Sequence, residues 1–400
     1  MRDSLNRRDF LKTVAAAGVG AMGVPLKTRR AYGEDTDRVK IGYLPITDAT
    51  PLLIAHAKGY YEEEGLKADK PVKIRDWSSL SESFLTKKFN LVHLLLPIPI
   101  GMRYNINFPV KVLAWDHTNG SAITVRSDSN ITDFSDLGGK QIAVPYWYSM
   151  HNVILQLGLR EVGLKPVIRP QSVILKPDEV NLFVLPPPEM PVALTGKKID
   201  GYIVAEPFNA IAEMKIGAKI MRFTGDMWRN HPCCVVVMDE RVVSSNPIFT
   251  QKVMNAVVRA QLWTLNNLEE AAKILCRDGE NKYLPASEKE LLRVFTGYDT
   301  GTYGKGTVPQ AIRHPEWNVG RIGFQPYPYP SATRFMVSQM KQTLIEGDIT
   351  FLKKLEPDFI AKDLVDDTFV KKAIDSVGGL GKFDSVNPEH PWTRKEIIKI

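Results

Sequence analysis

What most constrains this chain is a recurring order of apolar strand, polar turn and amphipathic helix. "VKIGYLPI" is rich in β-formers and ends at Thr47-Asp48-Ala49-Thr50, after which "PLLIAHAKGYYEEEG" carries helical spacing. Pro51 suits the start of that helix, Thr50 its N-cap and Gly65 its stop. "KQIAVPYW" repeats the strand, and "SMHNVILQLGLREVG" repeats the helix with Ser149 as cap and Gly163 as stop. "EMPVALTGKKIDGYIVAEPFNAIAEMKIG" gives a short helix, a strand from Gly201 to Ala205, and another helix after Glu206-Pro207. Strands alternating with helices imply an α/β fold with mostly parallel sheets. No repeat of solenoid length interrupts the pattern.

The first residues obey a different rule. Arg7-Arg8-Asp9-Phe10-Leu11-Lys12 precedes a small apolar run, Val14 to Val24, too short to span a bilayer. This is the form of a secretory signal, and the paired arginines resemble the bacterial twin-arginine signal, which the twin-arginine translocase reads. A cut after Ala31-Tyr32-Gly33 makes residues 1–33 a removable leader and the mature protein periplasmic. Those residues hold seven Lys/Arg and two Asp/Glu, so the formal charge falls from +7 to +2 on their removal. The basic character therefore lies mostly in the leader, and nothing resembles a nucleic-acid footprint.

Three cysteines are too few for a disulfide framework. Cys233 and Cys234 sit in "HPCCVVVMDE", which reads as a buried strand in which they are small hydrophobes, with a redox pair as the other reading. His56, His93 and His117 are scattered, without the spacing of a zinc site.

In open α/β sheets ligands bind beyond the carboxyl ends of strands, near helix N-termini. Thr47 to Thr50 and Tyr146 to Asn152 are two such openings, and on facing lobes they would clamp a small anion or zwitterion. The stretches "IGYLPITDATPLLIAHAKGYY", "DWSSLSESF", "HLLLPIPIGM", "TNGSAITV", "PPPEMPVALTGKKIDGYIVAEPFNA", "MWRNHP" and "GRIGFQPYPYPSATRFMVSQMKQ" resemble the periplasmic substrate-binding proteins of ABC importers, in their nitrate and bicarbonate branch. The wider family includes sulfonate and taurine binders.

The resemblance implies a bilobed, type II periplasmic-binding-protein fold: two α/β lobes, a ligand cleft and two crossover segments. Lobe one would comprise 36–119 plus 224–400, and lobe two 120–223. It implies a small oxyanion as ligand, an ABC permease of the inner membrane as partner and no required cofactor. Thr47, Asp48, Trp77, Asn119, Gly120, Ser121, His151 and Glu206 would line the cleft. Trp77 reads from the residues alone as a strand-end indole of either pocket or core, and Glu206 as a ligand group or a helix cap. Ser121 departs from the longer amide of nitrate binders, leaving room for a larger ligand such as a sulfonate. Asp226 stands where bicarbonate binders carry an acid, which implies a calcium ion bridging the ligand, although it could equally cap a short turn. Pyrimidine-precursor synthases share the fold, but their cluster of several cysteines is absent, so a binding protein rather than an enzyme is expected.

Overall fold

A computed structural model describes residues 37–383 and 389–400. The leader and its paired arginines lie outside the described residues. Two sheets organise the rest. The first has five strands in the order Val72–Lys73, Ile41–Tyr43, Leu91–Leu95, Cys234–Asp239 and Val110–Trp115. The second has six, in the order Lys165–Val167, Glu179–Val184, Gln141–Val144, Gly201–Ala205, Ser121–Val125 and Lys219–Phe223. The protein is thus a bilobed α/β fold.

Each sheet is parallel except around one strand. Cys234–Asp239 runs antiparallel to both neighbours in the first sheet, and Ser121–Val125 does so in the second. These are the strands that receive the chain as it changes sheet, through Thr118–Gly120 on the way out and Thr224–Cys233 on the way back. A strand entered from the other lobe has no crossover helix to reverse its direction, so it inserts antiparallel.

Several local readings need correction. Thr50 is the first helical residue rather than the cap, because Thr47–Ala49 forms a 3-10 turn that runs straight into the helix Thr50–Ala57. That helix stops at Gly59, whose φ of 70° only glycine adopts easily, and a separate turn Tyr60–Glu63 precedes Gly65. Trp77 is not at a strand end. It opens the helix Trp77–Leu85, for which Asp76 accepts the Ser79 N–H as N-cap. Ser149 does cap Met150–Glu161, accepting from Asn152 N at 3.0 Å.

Residues beyond the second sheet return to brace it. Tyr303, Ala311 and Ile312 pack on Ala122, Ile220 and Phe223, and Leu344 O accepts from Asn152 and Gln156 on the helix Met150–Glu161. In the first lobe, Arg103 holds Asp363 (Nε–Oδ2 2.6 Å) and Glu240 (Nη1–Oε2 2.6 Å), and these hydrogen bonds lower both carboxyl pKa values. Because the folded state lowers them, the pair stabilises fully above the ordinary carboxylate range and loses that contribution as pH falls through it. Asp363→Asn is therefore expected to lower the neutral plateau of a melting-temperature profile while leaving its acid end nearly unchanged, which flattens the acid limb between them. An unchanged acid limb would refute that contribution.

Candidate functional site

The site is assembled where the two crossovers pass the start of the first helix. Asp48, in the 3-10 turn, is fully buried, and its Oδ2 lies 2.8 Å from His117 Nε2 and 3.1 Å from Cys233 Sγ. His117 follows the strand Val110–Trp115, while Cys233 ends the return crossover and Cys234 begins the strand after it. A carboxylate oxygen of Asp48, a ring nitrogen of His117 and the sulfurs of both cysteines lie within 4.8 Å of one another. Neighbouring residues in a regular strand would face opposite ways. Here Cys233 precedes the strand that Cys234 begins, and both sulfurs reach the same point.

The second lobe supplies the facing wall. Ser121 Oγ and His151 Nε2 are 2.8 Å apart, and each stands 3.9 Å from Cys233 Sγ. On the first lobe, Trp77 meets His93 edge to face with ring centroids 5.6 Å apart, and His93 Nε2 accepts from Leu44 N at 2.9 Å. Trp77 Nε1, His93 Nδ1, Asp48 Oδ1, His117 Nδ1, His151 Nδ1 and both oxygens of Asp116 are buried without a hydrogen-bond partner. Buried polar atoms are normally satisfied, so such a concentration marks a place made for something else.

The charges partition in a definite way. Burial raises the Asp48 pKa, but His117 outweighs it and brings the carboxyl down to about 2. Burial would likewise lower that of His117, and Asp48 with Cys233 lifts it well above its ordinary range. They form a carboxylate–imidazolium pair. Burial, with Asp48 nearby, pushes Asp116 well up, so it is a neutral acid able to donate. Burial brings His93 down to about 4 and keeps it neutral. Burial raises the Cys233 thiol, but the hydrogen bond from Cys234 and the nearby His151 more than offset this, while burial and Cys233 push Cys234 up.

Of the residues expected at the cleft, Asp48, Trp77, Ser121 and His151 face this place. Gly120 shapes it: with φ of 73°, a Cβ there would stand 2.9 Å from the His117 ring. The others have different partners. Thr47 N and Oγ1 both donate to Glu206 O, at 2.9 and 3.1 Å, and so tie the lobes together. Asn119 Nδ2 donates to Asn230 Oδ1 and Gly320 O. Glu206 takes the capping role, with Oε2 accepting from Ala210 N at 3.0 Å and Oε1 meeting Arg321 at 2.6 Å. Asp226 neither caps its turn nor opens to a ligand. Its oxygens accept from Arg313 N and His314 N, and Oδ2 lies 2.8 Å from Arg222 Nε.

The sequence reading missed His93, His117, Asp116 and the cysteines as site groups. They lie far apart in the chain, so no spacing announces them. The one available signal was that Cys233-Cys234 and His117 flank the two crossovers. A cavity of about 260 Å³ lies beside the crossovers, lined by Thr118, Asn119, Arg229, Asn230, Trp317 and Gly320 among others. None of the clustered groups lines it, and the unpartnered buried donors are the stronger mark of a site.

Comparison with known proteins agrees with this architecture. The NMT1-like family matches residues 32–276. A nitrate/nitrite binding protein NrtA of Nostoc sp. (strain PCC 7120) is 28% identical over 302 residues, covering 70% of this chain and 65% of the relative. A bicarbonate transport ATP-binding protein CmpC of Synechocystis sp. is 24% identical, covering 57% of this chain and 35% of its own length. The chain therefore spans less than two thirds of these relatives. The crystal structure of the periplasmic nitrate-binding protein NrtA from Synechocystis PCC 6803 superposes with a TM-score of 0.68 at 19% identity, covering 89% of this chain and 96% of that one.

Proposed function

The chain belongs to the NMT1-like family, and on that premise we propose that it is the periplasmic solute-binding component of an ABC importer, closing on a small oxyanion of the nitrate or bicarbonate class. The observation that carries this reading is the set of buried, unpartnered polar atoms, among them Trp77 Nε1 and His151 Nδ1, contributed from both lobes. Trp77 offers an N–H beside a flat apolar face, which suits a planar anion. A neutral Asp116 adds a donor, and the imidazolium of His117 offsets Asp48, so two aspartates do not by themselves repel an anion. Export by the twin-arginine route, cleavage of the leader and delivery to an inner-membrane permease belong to the same proposal. Among the described residues no helix is long and apolar enough to cross a membrane.

A thermal-shift screen of nitrate, bicarbonate and a short sulfonate tests the reading. A ligand at 100 times its dissociation constant is expected to stabilise by about 2.7 kcal/mol. Trp77→Phe keeps the ring and removes the donor, so affinity should fall roughly ten- to hundredfold with little change in the unliganded melting temperature. If none of the three anions shifts the melt, or if Trp77→Phe binds like the parent, the oxyanion reading fails. A response to the sulfonate alone would replace it with the larger ligand for which Ser121 leaves room.

A further inference from the structure

We infer that Asp48, His117, Cys233 and Cys234 form a binding site for a thiophilic divalent cation of the zinc class. This deepens the proposed function, since it places a cation at the cleft where the anion would bind, and the two readings fail separately in the test below.

The donor set comes first. One carboxylate oxygen, one imidazole nitrogen and two sulfurs lie within 4.8 Å of one another, and all four residues are buried. Around a tetrahedral zinc, with metal–sulfur bonds near 2.3 Å and metal–nitrogen bonds near 2.0 Å, donors stand roughly 3.3–3.8 Å apart. Side-chain adjustments of about 1 Å close the present arrangement to that geometry. Two sulfurs with an imidazole select zinc over calcium, which takes six to eight oxygens.

The second observation is what the surroundings fail to supply. Asp48 Oδ1 and His117 Nδ1 have no hydrogen-bond partner, and neither do the two Asp116 oxygens nearby. A carboxylate buried beside two thiols needs a counter-charge. A divalent cation that displaces the protons of His117 and of the two thiols, and so binds a neutral imidazole and two thiolates, supplies it. The backbone is arranged for this convergence, since Cys233 lies just before the strand that Cys234 begins, both sulfurs reach the same point, and Gly120 lets the His117 ring approach.

Metal-free, reduced protein is titrated anaerobically with cobalt(II). One equivalent is expected to produce a thiolate-to-cobalt charge-transfer band in the near ultraviolet and the visible bands of a tetrahedral centre, both abolished by one equivalent of zinc. Cys233→Ser and Cys234→Ser should each lose the charge-transfer intensity that Cys276→Ser keeps, with circular dichroism confirming the fold. Absence of the band in folded, reduced wild-type protein overturns the inference, whatever the variants do. So does a band that survives in both Cys233→Ser and Cys234→Ser. The anion screen, repeated in zinc and in chelator, separates the readings. A nitrate or bicarbonate shift without a cobalt band removes the metal site and leaves the oxyanion reading standing. A cobalt band with no anion shift in either condition keeps the metal site and removes the oxyanion reading.

Discussion

Arg321→Ala is expected to destabilise the fold by about 3–5 kcal/mol, among the largest effects of any single substitution here, because it removes the positive member of a buried triad and leaves a carboxylate behind. Arg321 is only 2% exposed. It meets Glu206 Oε1 at 2.6 Å and Glu213 Oε2 at 2.7 Å, donates to Tyr303 OH at 3.2 Å, and lies over the Phe223 ring. Burial already raises the Glu206 pKa, and Arg321 is the chief influence drawing it back. The effect should extend to the site, since Glu206 O accepts both Thr47 donors across the lobes and Glu206 N donates to Gly120 O. Urea denaturation is the measurement: a lower midpoint at unchanged slope signals lost stability rather than an altered unfolded state. Neutralising the acids together, as Arg321→Met with Glu206→Gln and Glu213→Gln, should recover much of the loss. A single Arg321→Ala variant unfolding at the parent's midpoint would show that the triad contributes nothing net.

The triad also shows what a sequence can and cannot disclose. Gln141–Val144, Gly201–Ala205 and the Ser149-capped helix were legible because their signals are local: β-rich runs, a capping serine and a following glycine. The split into two sheets came through the family resemblance rather than through periodicity, which had suggested mostly parallel strands. Neither antiparallel return strand could be read from its own residues, because direction is set by the lobe from which the chain arrives. Asp48, His117 and Cys233 meet only after both crossovers are in place, and each alone looks like an ordinary core or turn residue. The same holds for Glu206, read as a ligand group or a cap, whose second partner is supplied by Arg321 more than a hundred residues later.

Asp226 carries the other large expected effect. The resemblance to bicarbonate binders had suggested a calcium ligand there, but the structure gives both oxygens to the protein: Arg222 Nε at 2.8 Å, Arg313 N at 2.9 Å and His314 N at 2.7 Å. Arg222 is 1% exposed, and burial lowers its pKa to about 10 while Asp226 opposes that shift, so the carboxylate is the chief counter-charge to a buried guanidinium. The Arg313 side chain continues the link, reaching Asp133 at 2.8 Å. Asp226→Ala leaves a buried guanidinium unpaired and two amides without acceptors, and a loss of about 3–5 kcal/mol is expected. Asp226→Asn keeps an oxygen for one amide, but its NH2 group offers no charge to Arg222, so it should fall between parent and alanine. Calorimetry of an anion in chelator and then in excess calcium distinguishes this structural role from the metal role. If the parent's affinity is the same in both while Asp226→Ala melts far lower, the carboxylate is a strut. If Asp226→Ala instead melts like the parent and abolishes a calcium-dependent affinity, the strut is wrong and calcium belongs at Asp226.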